Sequence, residues 1–146
     1  MPSSVPHTPL DIVLVEDNPV DVAILRRVLD TYGFTYHLRI LEDGERALRF
    51  FDHLAQQAFP APPDVLLLDL RLPRVSGQEV LQRLKALPAC ARMRTIVVSG
   101  VDDVPTRLEM GRLGAEAFFV KPNTFTAFME LGDIITTVVC GHPREA

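Results

Sequence analysis

Residues that could hold a metal ion stand directly after the apolar runs of this 146-residue chain. Three carboxylates placed close together repel one another, so at least one pKa rises unless a cation lies among them. Oxygen ligands in a partly hydrated site favour Mg²⁺, and a lysine there could pair with a carboxylate or with an incoming phosphoryl oxygen. The residues concerned are Glu16, Asp17, Asp69, Ser99 and Lys121.

These side chains meet only if the apolar runs are strands of one sheet. Runs typical of strands alternate five times with helical patterns, which predicts a doubly wound α/β fold with a five-stranded parallel sheet. Ligand sites in such sheets lie at the carboxyl ends of the strands. The predicted strands are Asp11–Val15, Phe34–Leu41, Asp64–Asp69, Thr95–Ser99 and Ala117–Val120.

Each feature also has an ordinary structural interpretation. An acidic pair before Asn18 and Pro19 is typical of a solvated helix N-terminus. Asp69 and Ser99 could be polar strand ends, and Lys121 a loop residue. Their coincidence at consecutive strand ends favours a functional site.

Composition restricts the classes of protein. The chain has 47% apolar and 23% charged residues, the balance of a globular domain. Its net charge of −4 argues against non-specific nucleic-acid binding, and no apolar run approaches the ~20 residues of a membrane span. Because the chain has no secretory signal, we expect no disulfide between Cys90 and Cys140 and take a reducing cytoplasm as the default location. The spacing of the two cysteines does not suggest a zinc site. We expect a disordered arm at 1–10, a domain at 11–140 and a tail at 141–146.

Four segments resemble the signatures of response-regulator receiver domains, in the family's order and spacing. They are VLLLDLRLPRVSG (Val65–Gly77), LVEDN (Leu14–Asn18), VVSG (Val97–Gly100) and FFVKP (Phe118–Pro122). The resemblance covers nearly the whole chain and implies a flavodoxin-like (βα)5 fold with strand order 2-1-3-4-5.

The resemblance implies that Asp69 accepts a phosphoryl group from a phosphohistidine of a sensor histidine kinase. Asp17 and Asp69 would bind Mg²⁺ directly, Glu16 would act through water, and the backbone carbonyl of Arg71 would complete the protein ligands. The domain would catalyse its own phosphorylation and dephosphorylation while serving as a switch rather than as a metabolic enzyme.

Further roles follow from the same resemblance. Ser99 and Lys121 would each contact a phosphoryl oxygen, and Phe118 occupies the position of the switch aromatic residue. The peptide bond between Lys121 and Pro122 would be cis, because that bond usually is in the family, at a cost of only ~0.5–1 kcal/mol over trans.

We expect no output domain, because only Cys140–Ala146 follow the last predicted helix. The signal would then leave through surface contacts or by relay to a histidine phosphotransfer protein. The chain has a Glu-Asp-Asn sequence after the first strand (Glu16–Asn18) and a proline-rich insertion before the third strand (Phe59–Pro63). In both features it resembles single-domain receivers that are paired with bacterial phytochrome kinases.

Three alternatives remain open at this point. A flavin-binding flavodoxin needs a phosphate-cradling loop after the first strand, where this chain has acidic residues. A haloacid-dehalogenase-type phosphohydrolase needs a second aspartate at position 71, which is Arg71. A degenerate receiver would act only as a protein-binding module, although every chemical position is filled here.

The last predicted helix, Asn123–Val139, is apolar over roughly 220° of its circumference, where a one-sided surface helix needs ~100°. The predicted core stripe and the additional apolar stripe are Phe125, Phe128, Met129, Ile135 and Val139, and Ala127, Leu131, Ile134 and Val138, respectively. The excess predicts a homodimer through this helix and its neighbouring strand.

Analytical ultracentrifugation of the protein at tens of micromolar should show a dimer. Monomer alone, with and without a phosphoryl analogue, would contradict the predicted homodimer.

Overall fold

The sheet places the predicted site residues on one edge. The structure, a computed structural model, describes residues 8–141. All strands are parallel and their order is β2-β1-β3-β4-β5, which confirms the doubly wound fold. The strands are β1 (Leu10–Val15), β2 (Tyr36–Leu41), β3 (Val65–Leu68), β4 (Arg94–Ser99) and β5 (Ala117–Val120).

Helices cover both faces of this sheet. The first helix and the last ones pack on one face, and the remaining helices pack on the other. Within residues 8–141, no helix has the length and apolar character needed to cross a membrane. The helices are α1 (Pro19–Tyr32), α2 (Gly44–Ala55), α3 (Gly77–Lys85), α4 (Val104–Arg112), α5 (Phe125–Phe128) and α6 (Glu130–Thr136), with a 3₁₀ turn at Pro88–Cys90 and a π turn at Thr137–Gly141.

The core consists of two apolar layers, because successive strand residues point to opposite faces. In β3, Leu67 belongs to the layer under α1 and α6, whereas Leu68 belongs to the layer under α2 and α3. All four residues of β3 are fully buried. This double burial explains why the strand is continuously apolar in the sequence.

Helix α1 begins immediately beyond β1, as the sequence predicts. The Asn18 side chain accepts hydrogen bonds from the backbone N–H groups of Val20 at 2.9 Å and Asp21 at 3.4 Å, and Pro19 takes the first helical position. Gly33, in the left-handed conformation at φ 96°, ends the helix. The first turn of α1 therefore stands at the carboxyl edge of the sheet.

The connection from β3 to α3 is unusually close. A Cβ atom on Gly77 would overlap the carbonyl oxygen of Asp69 and the Cα atom of Leu70. The Gly77 N–H donates to the Leu70 carbonyl at 2.9 Å. Position 77 therefore requires glycine, because the neighbouring backbone leaves no room for a side chain. The capping box of Ser76 and Glu79 stabilises the start of α3.

The prediction of one continuous helix over Asn123–Val139 is wrong. The structure divides it into α5, α6 and the π turn, and the Thr136 hydroxyl donates to the Gly132 carbonyl at 2.9 Å, a bond that bends helices. Leu131 and Val138, both from the additional apolar stripe, are buried in the chain's own core beside Phe128 and Ile135. The second apolar stripe is therefore smaller than the sequence suggests.

Gly132 allows α6 to approach α1 closely. A Cβ atom at Gly132 would overlap the ring of Tyr32. That ring is held from two sides: it stacks on Phe34 with centroids 5.0 Å apart, and its hydroxyl donates to Asp133 at 2.6 Å.

We predict that Gly132→Ala lowers the free energy of unfolding by about 1–3 kcal/mol, because the added methyl group overpacks a ring that cannot move freely. Urea denaturation measures the change. Gly111→Ala in α4 is the matched control, since a Cβ there meets no atom within 4 Å. The control should gain stability from its better helix propensity, and equal stabilities for the two variants would contradict the prediction.

Candidate functional site

Backbone hydrogen bonds align the strand ends that carry the site. The Glu16 N–H donates to the Leu41 carbonyl at 3.0 Å, and the Asp69 N–H donates to the Val15 carbonyl at 3.1 Å. On the other side, the Lys121 N–H donates to the Ser99 carbonyl at 2.9 Å. The site is thus supplied by the ends of four neighbouring strands, which are β1, β3, β4 and β5.

Glu16, Asp17 and Asp69 form one carboxylate cluster. One oxygen atom from each lies within 4.8 Å of the others. Glu16 is 1% exposed and Asp69 5%, whereas Asp17 is exposed. Oxygen atoms about 2.0–2.6 Å from a shared cation can lie at most about 4–5 Å apart. The three carboxylates therefore fit a single divalent cation with one side open to solvent.

Lys121 is the cation that the chain itself supplies to this cluster. Its ammonium group lies 2.7 Å from Asp21, 3.0 Å from Glu16 and 3.4 Å from Asp69. Burial alone would lower the pKa of Lys121, but the hydrogen bonds to Asp21 and Glu16 and the charge of Asp69 outweigh it and raise the pKa. Lys121 is therefore protonated at physiological pH.

Ionisation of the Glu16 carboxyl group is costly. Burial, together with the charge of Asp69, raises its pKa to about 7, although hydrogen bonds from Lys121 and from the Asn18 N–H act in the opposite direction. A pKa in the cluster is thus raised, as expected, but burial contributes more to the rise than the neighbouring carboxylate does. One ammonium group does not neutralise all the carboxylates around it.

Ser99 and Arg71 lie beside the cluster. The Ser99 side chain is buried and accepts a hydrogen bond from the Val101 N–H at 3.2 Å. The Arg71 N–H donates to Asp69 Oδ1 at 3.3 Å, so the backbone that follows the strand folds back over the carboxylate. Ser99 is the last residue of β4, and Arg71 lies in the segment that follows β3.

Phe118 is directed to a different part of the molecule. It is half-buried against the apolar layer under α2 and α3. The Arg107 guanidinium of α4 lies 5.3 Å from the centre of its ring, and Arg107 also pairs with Asp102 at 2.9 Å. Phe118 thus connects β5 to α4 instead of entering the carboxylate cluster.

Two features differ from what the sequence suggested. Asp21, in the first turn of α1, makes the shortest contact with Lys121 but was not among the predicted residues. The sequence gives Asp21 no signal beyond that of any acidic residue in the first turn of a helix. The expected cis bond before Pro122 is wrong, since no peptide bond in the described part of the chain is cis. The small energy difference between the isomers lets tertiary packing decide.

The chain belongs to the family of response regulator receiver domains, whose model matches residues 12–131. This membership decides against the flavin-binding and dehalogenase alternatives. A receiver domain is a signalling module of two-component systems, and sensor histidine kinases are the partners of such domains.

A similar curated protein is the response regulator Rcp1 of Synechocystis sp., which is 34% identical over 107 residues, or 71% of this chain and 73% of that protein. The solved Mn²⁺-bound form of Rcp1 superposes with a TM-score of 0.77 at 27% identity, covering 94% of this chain and 100% of the other.

Two further solved structures are similar to this chain. The bacteriophytochrome response regulator AtBRR is 28% identical with a TM-score of 0.70, over 95% of this chain and 99% of the other. The receiver domain of sensor histidine kinase PA1611 from Pseudomonas aeruginosa, with magnesium coordinated in its active-site cleft, is 25% identical with a TM-score of 0.70, over 90% and 98%. Rcp1 has thus been solved with Mn²⁺ bound, and the PA1611 receiver domain with Mg²⁺ in its active-site cleft.

We predict that the metal-free protein loses stability as pH rises from about 4.5 to about 7. The folded state holds the Glu16 proton more tightly than the unfolded chain, whose pKa is near 4.5, so this contribution is complete below pH 4.5 and is lost as the pH passes 7. Urea unfolding in EDTA across this range measures the loss.

Glu16→Gln is the control for that measurement. Histidines titrate in the same range, so only the difference between the two proteins reports on Glu16. The variant should lack the decline that is due to Glu16, while a divalent cation should stabilise the unmodified protein more at pH 8 than at pH 5. Identical pH profiles for the two proteins would contradict the assignment.

Proposed function

We propose that this receiver domain accepts a phosphoryl group on Asp69 from a histidine kinase, with Mg²⁺ as the cofactor. The observation that carries the proposal is the meeting of Glu16, Asp17 and Asp69 within 4.8 Å, with the Lys121 ammonium 3.4 Å from Asp69. A nucleophilic carboxylate, oxygen ligands and a positive charge are the groups that phosphoryl transfer to an aspartate requires.

In the proposed reaction, an oxygen of the Asp69 carboxylate attacks the phosphorus atom of the phosphohistidine. The new O–P bond forms as the P–N bond breaks, and the electron pair of that bond returns to the imidazole. Two anionic groups must approach each other for this step, so the reaction depends on nearby positive charge. Hydrolysis at the same site, with water attacking phosphorus, would return the free carboxylate.

The chain's own residues supply three functions in this proposal. Lys121 balances charge on a phosphoryl oxygen. Ser99, whose oxygen accepts from the Val101 N–H, keeps its hydroxyl hydrogen and can donate it to a second phosphoryl oxygen. The backbone of Arg71, which already folds over Asp69, would present its carbonyl oxygen to the cofactor.

Mg²⁺ would be held by Asp17 and Asp69, with Glu16 contacting it through water. When bound, the ion supplies positive charge that offsets the repulsion between Asp69 and the phosphoryl oxygens. Carboxylate and carbonyl oxygens are the ligands that Mg²⁺ prefers, and the exposed side of Asp17 leaves space for the waters it retains.

The conformational effect of phosphorylation would be transmitted through Ser99 and Phe118. A phosphoryl group on Asp69 draws the Ser99 side chain toward it and alters the space above the β5 strand, where Phe118 lies. Movement of the Phe118 ring would disturb the Arg107 contact and with it the surface of α4. Phosphorylation then needs only to shift an equilibrium between two arrangements.

We propose a bacteriophytochrome histidine kinase as the phosphoryl donor. The similarity to AtBRR, which is described as a bacteriophytochrome response regulator, supports this choice. Among purified, autophosphorylated candidate kinases, the one that labels Asp69 fastest identifies the donor.

The remaining partner proposals concern the surface. A homodimer would use half-buried Ala117 and Ile134, which line a shallow cavity of about 300 Å³ between β5 and α6. Relay to a histidine phosphotransfer protein is the other route for the signal. Both would operate in the cytoplasm.

Labelling with acetyl phosphate tests the phosphorylation itself. We predict that the protein is labelled in the presence of Mg²⁺, is not labelled in EDTA, and loses labelling when Asp69 is replaced by asparagine. Intact-protein mass spectrometry detects the added phosphoryl group. Labelling at the full level in Asp69→Asn would contradict the proposal.

Asp64→Asn provides the matched control. Asp64 lies just before the opposite end of β3, where its side chain accepts a hydrogen bond from the Asp11 N–H at 2.9 Å. Asp64→Asn removes one negative charge, as Asp69→Asn does, and should be labelled normally. If the unmodified protein is not labelled by acetyl phosphate or by any kinase, the chain acts as a binding module instead.

A further inference from the structure

Asp21 makes the shortest of the three ion pairs to Lys121, and none of the roles described so far includes it. It lies in the first turn of α1, and its side chain is 19% exposed. The 2.7 Å separation from the Lys121 ammonium compares with 3.0 Å for Glu16 and 3.4 Å for Asp69. The carboxylate that is proposed to react is therefore the one that Lys121 holds least closely.

The three contacts use the complete donor capacity of the ammonium group. An ammonium has three hydrogens and no acceptor, and three carboxylates accept from it. Glu16 and Asp69 belong to the metal cluster, whereas Asp21 does not. Asp21 therefore pulls the positive charge toward α1 and away from the cluster.

We propose that Asp21 is a positioning residue, which holds the Lys121 ammonium away from Asp69 and so keeps the Asp69 carboxylate open to a divalent cation and a phosphoryl donor. The inference rests on the proposed function, because it concerns access to the same carboxylate. Without Asp21, the ammonium would move toward Glu16 and Asp69, where it competes with the cation for the same oxygens.

Asp21 also has a simpler role that must be separated from this one. An acidic residue in the first turn stabilises a helix through the helix dipole, and any carboxylate near the cluster attracts a cation through space. Neither effect requires Lys121. The proposed effect acts only through Lys121, so it should disappear when the lysine is absent.

A double-mutant cycle measures this dependence. Mg²⁺ affinity is determined by isothermal titration calorimetry for the unmodified protein, Asp21→Asn, Lys121→Met and the double variant. We expect Asp21→Asn to weaken Mg²⁺ binding about fivefold when Lys121 is present, and less than about twofold in the Lys121→Met background, within the usual range of coupling between contacting residues. Circular dichroism verifies that all four proteins are folded.

Two further variants sharpen the result. Asp21→Glu keeps the charge and can still reach the ammonium, so it should restore most of the affinity. Asp30→Asn removes a carboxylate at the far end of α1, where it accepts from the Tyr36 hydroxyl at 2.7 Å, and should leave Mg²⁺ binding unchanged. A crystal structure of Asp21→Asn should show Lys121 closer to Asp69 than 3.4 Å.

The outcomes separate the inference from the proposed function. An equal effect of Asp21→Asn in both backgrounds, or no effect with Lys121 present, overturns the positioning role while Mg²⁺ binding by the unmodified protein stands. If the unmodified protein binds no Mg²⁺ and is not labelled, the proposed function fails and the inference fails with it.

Discussion

Electrostatic repulsion among carboxylates is the constraint on which this structure depends. The ends of β1 and β3 and the first turn of α1 bring four acidic side chains to one place, and Lys121 from the end of β5 is the positive charge in contact with three of them. Such a cluster stays assembled only because the buried sheet fixes the backbone beneath it. The energy of packing two apolar layers is thus used to hold together charges that would otherwise separate.

Much of this arrangement could be predicted because strand ends are encoded locally. Continuous apolar runs identify the buried strands, and in a parallel sheet the residue after each run must lie on the same edge. That rule predicts from the sequence alone that Glu16, Asp69, Ser99 and Lys121 share one edge, and the structure brings three of these into direct contact. The Asn18 cap likewise defined where α1 begins, since a cap depends on residues close in the chain.

The predictions failed where the outcome depends on distant contacts. Asp21 resembles any acidic residue of a first helical turn until Lys121 reaches it across 100 positions of sequence. The close approach of α6 to α1 depends on Gly132 lying against Tyr32, a contact between residues 100 positions apart. The sequence pattern likewise assigns Val138 to the additional stripe, although it packs in the core, because the side of an apolar helix that faces the core is decided by its neighbours.

The contact at Gly77 has a mechanical consequence. With no side chain at this position, the start of α3 lies directly against the backbone of Asp69 and Leu70. A backbone shift at Asp69 or Leu70 would therefore press directly on the start of α3. Under the proposed phosphorylation of Asp69, this contact would offer a second route from the site to the surface, besides the one proposed through Phe118.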